Sequence, residues 1–468
     1  MSAKIVGFVL LPVYTEKLVV ADYGRLAILE ITAQIMITIA GLNISTAMLR
    51  WATLQPEKYR EIVSTSFFAV LSLLTIFAAI FIPLRSMLAM VLFSDPKFGY
   101  YFLLLILYVL GSVYLNLPFT QLRVKERSTA YALLNTVRFT LTLALIIYFV
   151  VYRGEGIAGI LRGQLYAVLL MILITLPVVL RDLRWKFDYP LFKSMIAYSL
   201  PLIFSTLSGI ILAVTDRYVL RYSASFDDVG IYSLAYKFAS IVNIVLLQSM
   251  QIGLLPIALR YYNEDIFPRL IMKILTYFNL LGMMLVLILS FYSRELIVLL
   301  AEKPEYYPAY KLIPLLAIPF LFRGMQYIFA LNHHYRAKTR QLTLIILAGA
   351  CLNLVLNLIL IPRYTIWGAG TATFIATLSI MLIVLVGSQK IRRFNYRLDK
   401  QITVILTGIV LFGVSLLFGE LPLVGRIAAK TGLLFIFPVL LYFLKIYEPI
   451  ELLTLKNLLK PKSDTDGE

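Results

Sequence analysis

Charged side chains, histidine and cysteine are all scarce in this chain of 468 residues. Charged residues make up 15% of it, and there are two histidines and one cysteine, Cys351. A single cysteine excludes a disulfide framework within the chain and a cysteine-based metal site. His333 and His334 have no acid or cysteine spaced for a metal, and no glycine loop with its lysine is present to bind nucleotide phosphates. Metal and nucleotide chemistry therefore lack their usual sequence signatures.

Apolar residues, by contrast, make up 60% of the chain, and the mean hydropathy is +0.87. They fall in runs of roughly 20 residues, which is the length that an α-helix needs to cross ~30 Å of hydrocarbon. Because a helix satisfies its own backbone hydrogen bonds in lipid, these runs predict an all-α polytopic membrane protein. We predict about fourteen transmembrane helices, at residues 3–20, 25–49, 62–82, 100–122, 130–152, 157–180, 194–220, 230–259, 270–292, 309–331, 341–362, 366–388, 401–419 and 427–446.

The formal net charge of +18 is distributed unevenly between the two ends of these spans. Connections after even-numbered spans hold about twice as many lysines and arginines as connections after odd-numbered spans. Because basic residues are retained on the cytoplasmic side, we expect the even connections and both termini to be cytoplasmic. Their positive charge then faces anionic lipid, so a nucleic-acid partner is not expected.

An internal repeat divides the chain. Asp22-Tyr-Gly24 matches Asp228-Val-Gly230, and later Gly156-Ile-Ala-Gly159 matches Trp367-Gly-Ala-Gly370 in the same order and at nearly the same offset. Six spans per copy is an even number, so the copies share one orientation and are related by an axis along the membrane normal. Two lobes of this kind are typical of transporters that alternate access to a site between them. The predicted domains are an N-terminal lobe 1–180, a basic cytoplasmic linker 181–193, a C-terminal lobe 194–390, extra spans within 391–448 and a cytoplasmic tail 449–468.

Short motifs in a fixed order carry a family resemblance. They are Lys4-Ile-Val-Gly-Phe8, Leu10-Leu-Pro-Val-Tyr-Thr15, Asp22-Tyr-Gly24, Asp216-Arg-Tyr218, Asp228-Val-Gly230 and Tyr232-Ser-Leu-Ala-Tyr-Lys237. Over nearly the whole chain, the order and spacing resemble the polysaccharide-exporter branch of the multidrug/oligosaccharidyl-lipid/polysaccharide flippase superfamily. The resemblance implies a plasma-membrane flippase for undecaprenyl-diphosphate-linked sugars, and the fourteen spans also resemble the lipid II flippases. The start departs from the family pattern, because a longer apolar segment usually precedes the position of Lys4.

Five basic residues lie inside the predicted spans: Arg138, Arg162, Arg217, Lys237 and Arg323. A charge in hydrocarbon costs at least ~2.5 kcal/mol, so such residues usually face protein or water. Only Glu30 and Asp216 are clearly embedded acids. We therefore predict a net positive interior whose cations bind a diphosphate.

Lys237 ranks first among these cations because it lies deep and matches a basic position in the family's eighth helix. Lys4 is a further candidate for substrate binding. Arg162 and Arg217 lie near the outer ends of their spans, so either could instead extend to the interface. Glu30 could equally pair with Arg25 or face a polar neighbour.

A second set of side chains suits a coupling cation. Asn353 and Asn357 lie one turn apart and share a helix face, Thr373 and the Ala369 carbonyl repeat that spacing on the next span, and Asp216 supplies a carboxylate. Oxygen ligands of this kind suit a hard monovalent cation. The set is similar to the sodium site of some lipid II flippases, which have a second acid at the position of Asn357. With one acid fewer, sodium binding should be weaker or absent. No cofactor is expected; coupling to Na⁺ or H⁺ is one interpretation of this set, and the other is that these polar groups only join packed helices.

Three functions compete at this point. The first is export of a lipid-linked oligosaccharide, with possible partners among other membrane proteins of polysaccharide assembly. The second is a lipid II flippase or multidrug exporter of the same superfamily, although embedded cations disfavour cationic drugs. The third is a membrane enzyme such as a sugar ligase or polymerase, which should carry a large outer loop with acids and arginines. None of the predicted outer loops is large, so an enzyme is not expected.

Overall fold

The computed structural model describes residues 7–336 and 338–447, and these residues form helices and turns without any strand. The predicted tail 449–468 and Lys4 lie outside the described residues. The helices of the first half are α1 Leu11–Lys17, α2 Val20–Gly41, α3 Ile44–Leu54, α4 Tyr59–Phe81, α5 Arg85–Phe93, α6 Gly99–Val124, α7 Ser128–Ile147, α8 Gly156–Asp182 and α9 Tyr189–Ser223. Those of the second half are α10 Phe226–Ala239, α11 Gln248–Tyr261, α12 Phe267–Phe291, α13 Ser293–Leu300, α14 Ile313–Phe329, α15 Leu331–Tyr335, α16 Thr339–Ile391, α17 Leu398–Leu416 and α18 Leu423–Phe443.

Twelve helical segments of the described residues are long and apolar enough to cross a membrane. This confirms the predicted all-α polytopic membrane protein. One of the twelve includes most of α16, whose 53 residues would extend for about 80 Å if straight, more than twice the hydrocarbon thickness. A kink at Thr365, with φ 48° and ψ −124°, divides α16 into two helices that match the predicted spans 341–362 and 366–388.

The predicted boundaries of the second span, 25–49, are wrong. The helix begins at Val20 and ends at Gly41, and the chain then breaks before α3 begins at Ile44. Leu42 and Asn43 adopt left-handed backbone with φ of 42° and 52°. Asparagine tolerates this conformation, whereas leucine rarely adopts it. Since Leu42 is also apolar, neither its residue type nor the hydropathy pattern marks the break.

The described residues form two compact units. The first contains the chain up to Lys237 together with Ile297–Ala309 and Ile346–Ala376, and the second contains Phe238–Leu296, Tyr310–Ile345 and the described chain from Thr377. The boundaries of these units differ from those of the lobes that the sequence repeat predicts, 1–180 and 194–390. The two predicted six-helix lobes stay a prediction.

In the first unit, α6 packs along α8 through an apolar cluster of Leu115, Phe119, Val168 and Met171. An ion pair between Lys125 and Asp182 joins the ends of these two helices. In the second unit, α12 packs against α14 and α17. Nδ2 of the buried Asn279 in α12 donates to Gln401 Oε1 in α17 at 2.7 Å, which joins these two helices by a polar contact.

The two Asp-x-Gly motifs of the repeat meet where α2 packs against α10. A Cβ atom on Gly24 would lie 2.0 Å from the Phe226 carbonyl oxygen, and one on Gly230 would lie 2.4 Å from that of Val20. Real side chains do not approach backbone this closely, so both positions require glycine. Both copies of the motif therefore use glycine to allow close packing of the same two helices.

Candidate functional site

The centre of the candidate site is a hydrogen bond between α9 and α10, which are joined by a short connection. Asp216 of α9 accepts a hydrogen bond from the Tyr232 hydroxyl of α10 at 2.5 Å, and it also accepts one from the backbone N–H of Arg217 at 2.8 Å. Asp216 is only 2% exposed and Tyr232 is fully buried. A carboxylate at such a position needs these donors to offset the loss of its hydration.

Arg217 lies beside this carboxylate and is 6% exposed. Its Nη1 lies 3.6 Å from Asp216 Oδ1 and donates to the Ala213 carbonyl at 2.9 Å. Its Nε donates to Ser233 Oγ at 3.3 Å, and its guanidinium stacks over the Tyr236 ring, 4.2 Å from the centroid. Arg217 is therefore not an unopposed cation, because Asp216 balances its charge and the Tyr236 ring covers its guanidinium.

Lys237 follows on α10 and extends to the N-terminal helices of the same unit. Its Nζ donates to the Gly7 carbonyl at 3.2 Å. It lies 5.4 Å from the centroid of the Tyr23 ring and 5.8 Å from that of Tyr14, both within cation–π range. Both tyrosines are buried. The ammonium group is thus oriented by neutral groups from three stretches of chain.

Glu30 of α2 belongs to the same site. It is exposed between the buried Leu29 and Ile31, and its charge interacts with those of Lys237 and Arg217. The alternative pairing of Glu30 with Arg25 is wrong, because Arg25 donates to Asp22 at 2.5 Å. The cluster therefore contains two cations and two acids, and a net positive interior does not follow from this part of the chain alone.

The remaining predicted cations lie elsewhere. Arg162 of α8 pairs with Glu155 at 2.6 Å and donates to the Tyr100 hydroxyl at 3.0 Å, so an acid balances its charge as well. This pairing near the helix end fits the interfacial alternative. Arg138 and Arg323 belong to different units and are half-buried. Neither guanidinium has an acidic partner among the described residues.

The predicted ion ligands are only partly brought together. Asn357 Nδ2 donates to Asn353 Oδ1 at 3.0 Å, and both side chains are buried. Within the described chain, Asn353 Nδ2 and Asn357 Oδ1 have no hydrogen-bond partner. Thr373 lies beside Tyr232, the residue that donates to Asp216.

The donor set fits a cation only after rearrangement. Both oxygens of Asp216 already accept hydrogen bonds, and the neighbouring Arg217 would repel a positive ion. The fully buried Ala369 lies one helical turn before Thr373. Among the described residues, the buried Asn357 oxygen has no hydrogen-bond donor and is therefore available to accept one or to bind a cation.

Sequence reasoning missed the aromatic part of the site. Tyr14, Tyr23, Tyr232 and Tyr236 surround the two cations, and all four belong to motifs that carry the family resemblance. The four-residue spacing of Tyr232 and Tyr236 places them on one helix face. That spacing beside Lys237 was a usable signal, but the approach of Tyr14 and Tyr23 depends on helix packing.

Several solved structures share this fold, and three of them are described below. The lipid II flippase MurJ, in an inward closed conformation, has a TM-score of 0.74 at 13% identity, covering 95% of this chain and 99% of its own. An inward-facing multidrug resistance transporter of the MATE family has a TM-score of 0.70 at 14% identity, with coverages of 83% and 94%. A mutant of the MATE transporter VcmN from Vibrio cholerae has a TM-score of 0.59 at 16% identity, with coverages of 84% and 94%. The chain therefore has the fold of these MurJ and MATE structures.

A family model shows which family the chain belongs to. The model described as "Polysaccharide biosynthesis protein" matches residues 1–261, more than half of the chain. The chain belongs to this family, which confirms the resemblance based on the motifs. No curated protein sequence matches it. The matched region contains Asp216, Arg217, Tyr232 and Lys237, so the buried cluster lies within the part of the chain that the family model matches.

Proposed function

We propose that this protein moves a polyprenyl-diphosphate-linked oligosaccharide from the cytoplasmic to the outer leaflet of the plasma membrane by alternating access, without changing it chemically. The observation that carries the proposal is the environment of Lys237, whose charge is oriented by a carbonyl and two tyrosines inside a membrane span. An ammonium group is a good ligand for a diphosphate, whose charge is dense. Arg138 and Arg323 are further candidate ligands.

The charge balance of the cluster suggests how a cation could be coupled to transport. Without substrate, the charges of Lys237 and Arg217 are matched by those of Glu30 and Asp216. A diphosphate that binds Lys237 brings negative charge close to the exposed Glu30, and this favours uptake of a proton by that carboxyl or of Na⁺ nearby. By reciprocity, the cation strengthens diphosphate binding by the same factor.

Lipid II flippase activity is the second candidate, since the MurJ structure covers more of this chain than either of the two MATE structures described above. Both lipid-linked substrates share the diphosphate, so Lys237 would serve either. Export of cationic drugs fits less well, because a drug cation would meet the charge of Lys237.

The test is a flipping assay with purified protein in liposomes that contain a polyprenyl-diphosphate-linked sugar. Periodate added outside the liposomes oxidises only sugar in the outer leaflet, and the oxidised fraction is measured over time. Lys237→Ala should lose most of the protein-dependent rate, and Lys237→Arg should retain part of it, because a cation remains with different geometry. Lys186→Ala is the matched control, since Lys186 pairs with Glu61 at the surface outside the site.

All variants are compared at equal reconstituted protein, because loss of a buried charge can lower the amount of folded protein. Wild-type flipping by Lys237→Ala would refute the proposed role of this lysine. Energy-dependent extrusion of an organic cation, without flipping, would favour the drug exporter. A chemically altered sugar lipid would favour an enzyme.

A further inference from the structure

A basic pocket of about 640 Å³ lies at the end of α16 in the second unit. Its rim carries Lys390, Arg392 and Arg393, and Gln389 lies beside them. Val386 belongs to its apolar wall. The pocket is remote in sequence from the cluster around Lys237 and has no role in the function proposed above.

The loop that carries these cations is held in place by hydrogen bonds. Gln389 Nε2 donates to the Phe394 carbonyl at 2.7 Å, and the Phe394 N–H donates back to Gln389 Oε1 at 3.1 Å. The carbonyl of Arg392 accepts from Asn332 Nδ2 at 3.1 Å. Phe394 and Tyr396 are buried. Because the backbone is fixed, the basic side chains project from a preorganised rim and not from a free chain.

The charge of the rim is not balanced by nearby acids. Arg392 donates to the Tyr262 carbonyl at 2.5 Å, and its guanidinium lies 4.9 Å from the ring centroids of both Tyr262 and Phe394. Lys390 and Arg393 are exposed, and neither side chain has an acidic partner within the described part of the chain. Asp399, the acid closest to this rim in sequence, pairs with Arg397 at 3.1 Å.

The wall below the rim is apolar and open. Val386 is 55% exposed, and the exposed Leu382 lies one helical turn further from the rim. This stretch belongs to a segment long and apolar enough to cross the membrane, so the wall lies at the depth of the acyl chains when the rim lies at the headgroups. A free anion would contact the rim alone, whereas a lipid would contact both surfaces.

We propose that this pocket binds the phosphate headgroup of an anionic membrane lipid, with an acyl chain along α16. Basic pockets at the ends of transmembrane helices are suited to such headgroups, and each cation near the surface strengthens the attraction. The site differs from a general basic surface in its fixed rim and its continuous apolar wall. It is independent of the substrate proposed for the transporter.

The first test measures thermal unfolding of the purified full chain in mixed micelles with rising phosphatidylglycerol or phosphatidylcholine. Phosphatidylglycerol should raise the unfolding midpoint by mass action. The double variant Lys390→Gln with Arg393→Gln should need on the order of tenfold more of this lipid for the same rise. The matched control is Arg397→Gln, which removes a paired cation of the same loop outside the pocket and should behave as wild type.

Equal responses of the wild type and the double variant would overturn the proposed lipid site. The attraction between the lipid and the protein would then come from the general basic surface and not from this pocket. Inorganic phosphate at the same concentration should not raise the midpoint, and a rise equal to that from the lipid would overturn the assignment to a lipid.

The second measurement does not depend on unfolding. A fluorophore is attached to Val386→Cys in a Cys351→Ser background, and quenching by chain-brominated phosphatidylglycerol is compared with that by chain-brominated phosphatidylcholine. Stronger quenching by the anionic lipid at equal mole fraction supports the proposal, and equal quenching overturns it.

Discussion

The close contact between α2 and α10 gives a prediction with a defined magnitude. In Gly24→Ala, the new Cβ would lie 2.0 Å from the Phe226 carbonyl oxygen and 3.0 Å from the Gly230 nitrogen. Both atoms belong to the backbone and cannot rotate away, so the helices must separate by about 1 Å. Overpacking of this kind costs roughly 3 kcal/mol, and the higher helix propensity of alanine returns about 1 kcal/mol. We expect a net loss of about 2 kcal/mol in the free energy of unfolding.

The assay is thermal unfolding of purified protein at fixed detergent and lipid, where this loss should lower the midpoint by a few degrees. Gly413→Ala is the control, because a Cβ at Gly413 in α17 meets no atom within 4 Å. The free energy of unfolding of Gly413→Ala should equal that of wild type or exceed it by up to about 1 kcal/mol. A midpoint for Gly24→Ala equal to or above that of wild type would show that the two helices are not held this closely.

Three further predictions concern coupling, topology and pH. If Na⁺ binds near Asp216, it should raise the unfolding midpoint at constant ionic strength, and Asp216→Asn should abolish the rise; an unchanged wild-type midpoint removes the sodium hypothesis. In a cysteine-free background, a cysteine at Lys338 should react only with reagent inside the cell and one at Lys97 with reagent outside; the reverse pattern would invert the assigned topology. Burial would raise the pKa of the α13 residue Glu295, yet backbone hydrogen bonding and pairing with Arg426 at 2.6 Å lower it below its ordinary value. The stabilisation that follows is present above the ordinary pKa and lost as pH falls through the lowered one, so acid unfolding of Glu295→Gln should depend less steeply on pH; an identical profile would contradict this.

Much of the fold could be predicted from the sequence because lipid imposes a simple rule. A segment that crosses hydrocarbon must be helical, apolar and roughly 20 residues long, and each of these properties is local. The predicted spans 62–82 and 270–292 accordingly match helices Tyr59–Phe81 and Phe267–Phe291 within a few residues. The break at Leu42 could not be predicted, because nothing in the local hydropathy distinguishes it from a continuous helix.

The candidate site, like the fold, could be predicted from the sequence only in part. Arg217 and Lys237 could be singled out from the sequence, since a cation inside an apolar run is costly wherever it lies. Whether such a cation is neutralised depends on which groups the folded helices place beside it. Asp216 lies 3.6 Å from Arg217 and balances its charge, and Tyr232 of the next helix contacts both side chains.

For Lys237, the partners come from distant parts of the chain. The Gly7 carbonyl and the Tyr14 and Tyr23 rings lie more than 200 residues away in sequence, and they reach the ammonium group only because the N-terminal helices pack against α10. The sequence alone determined that charges enter the membrane, because the cost of a charge in lipid is a local property of a span. The tertiary structure decided which of those charges are balanced and by what, because electrostatic energy depends on distance in space and not on separation along the chain.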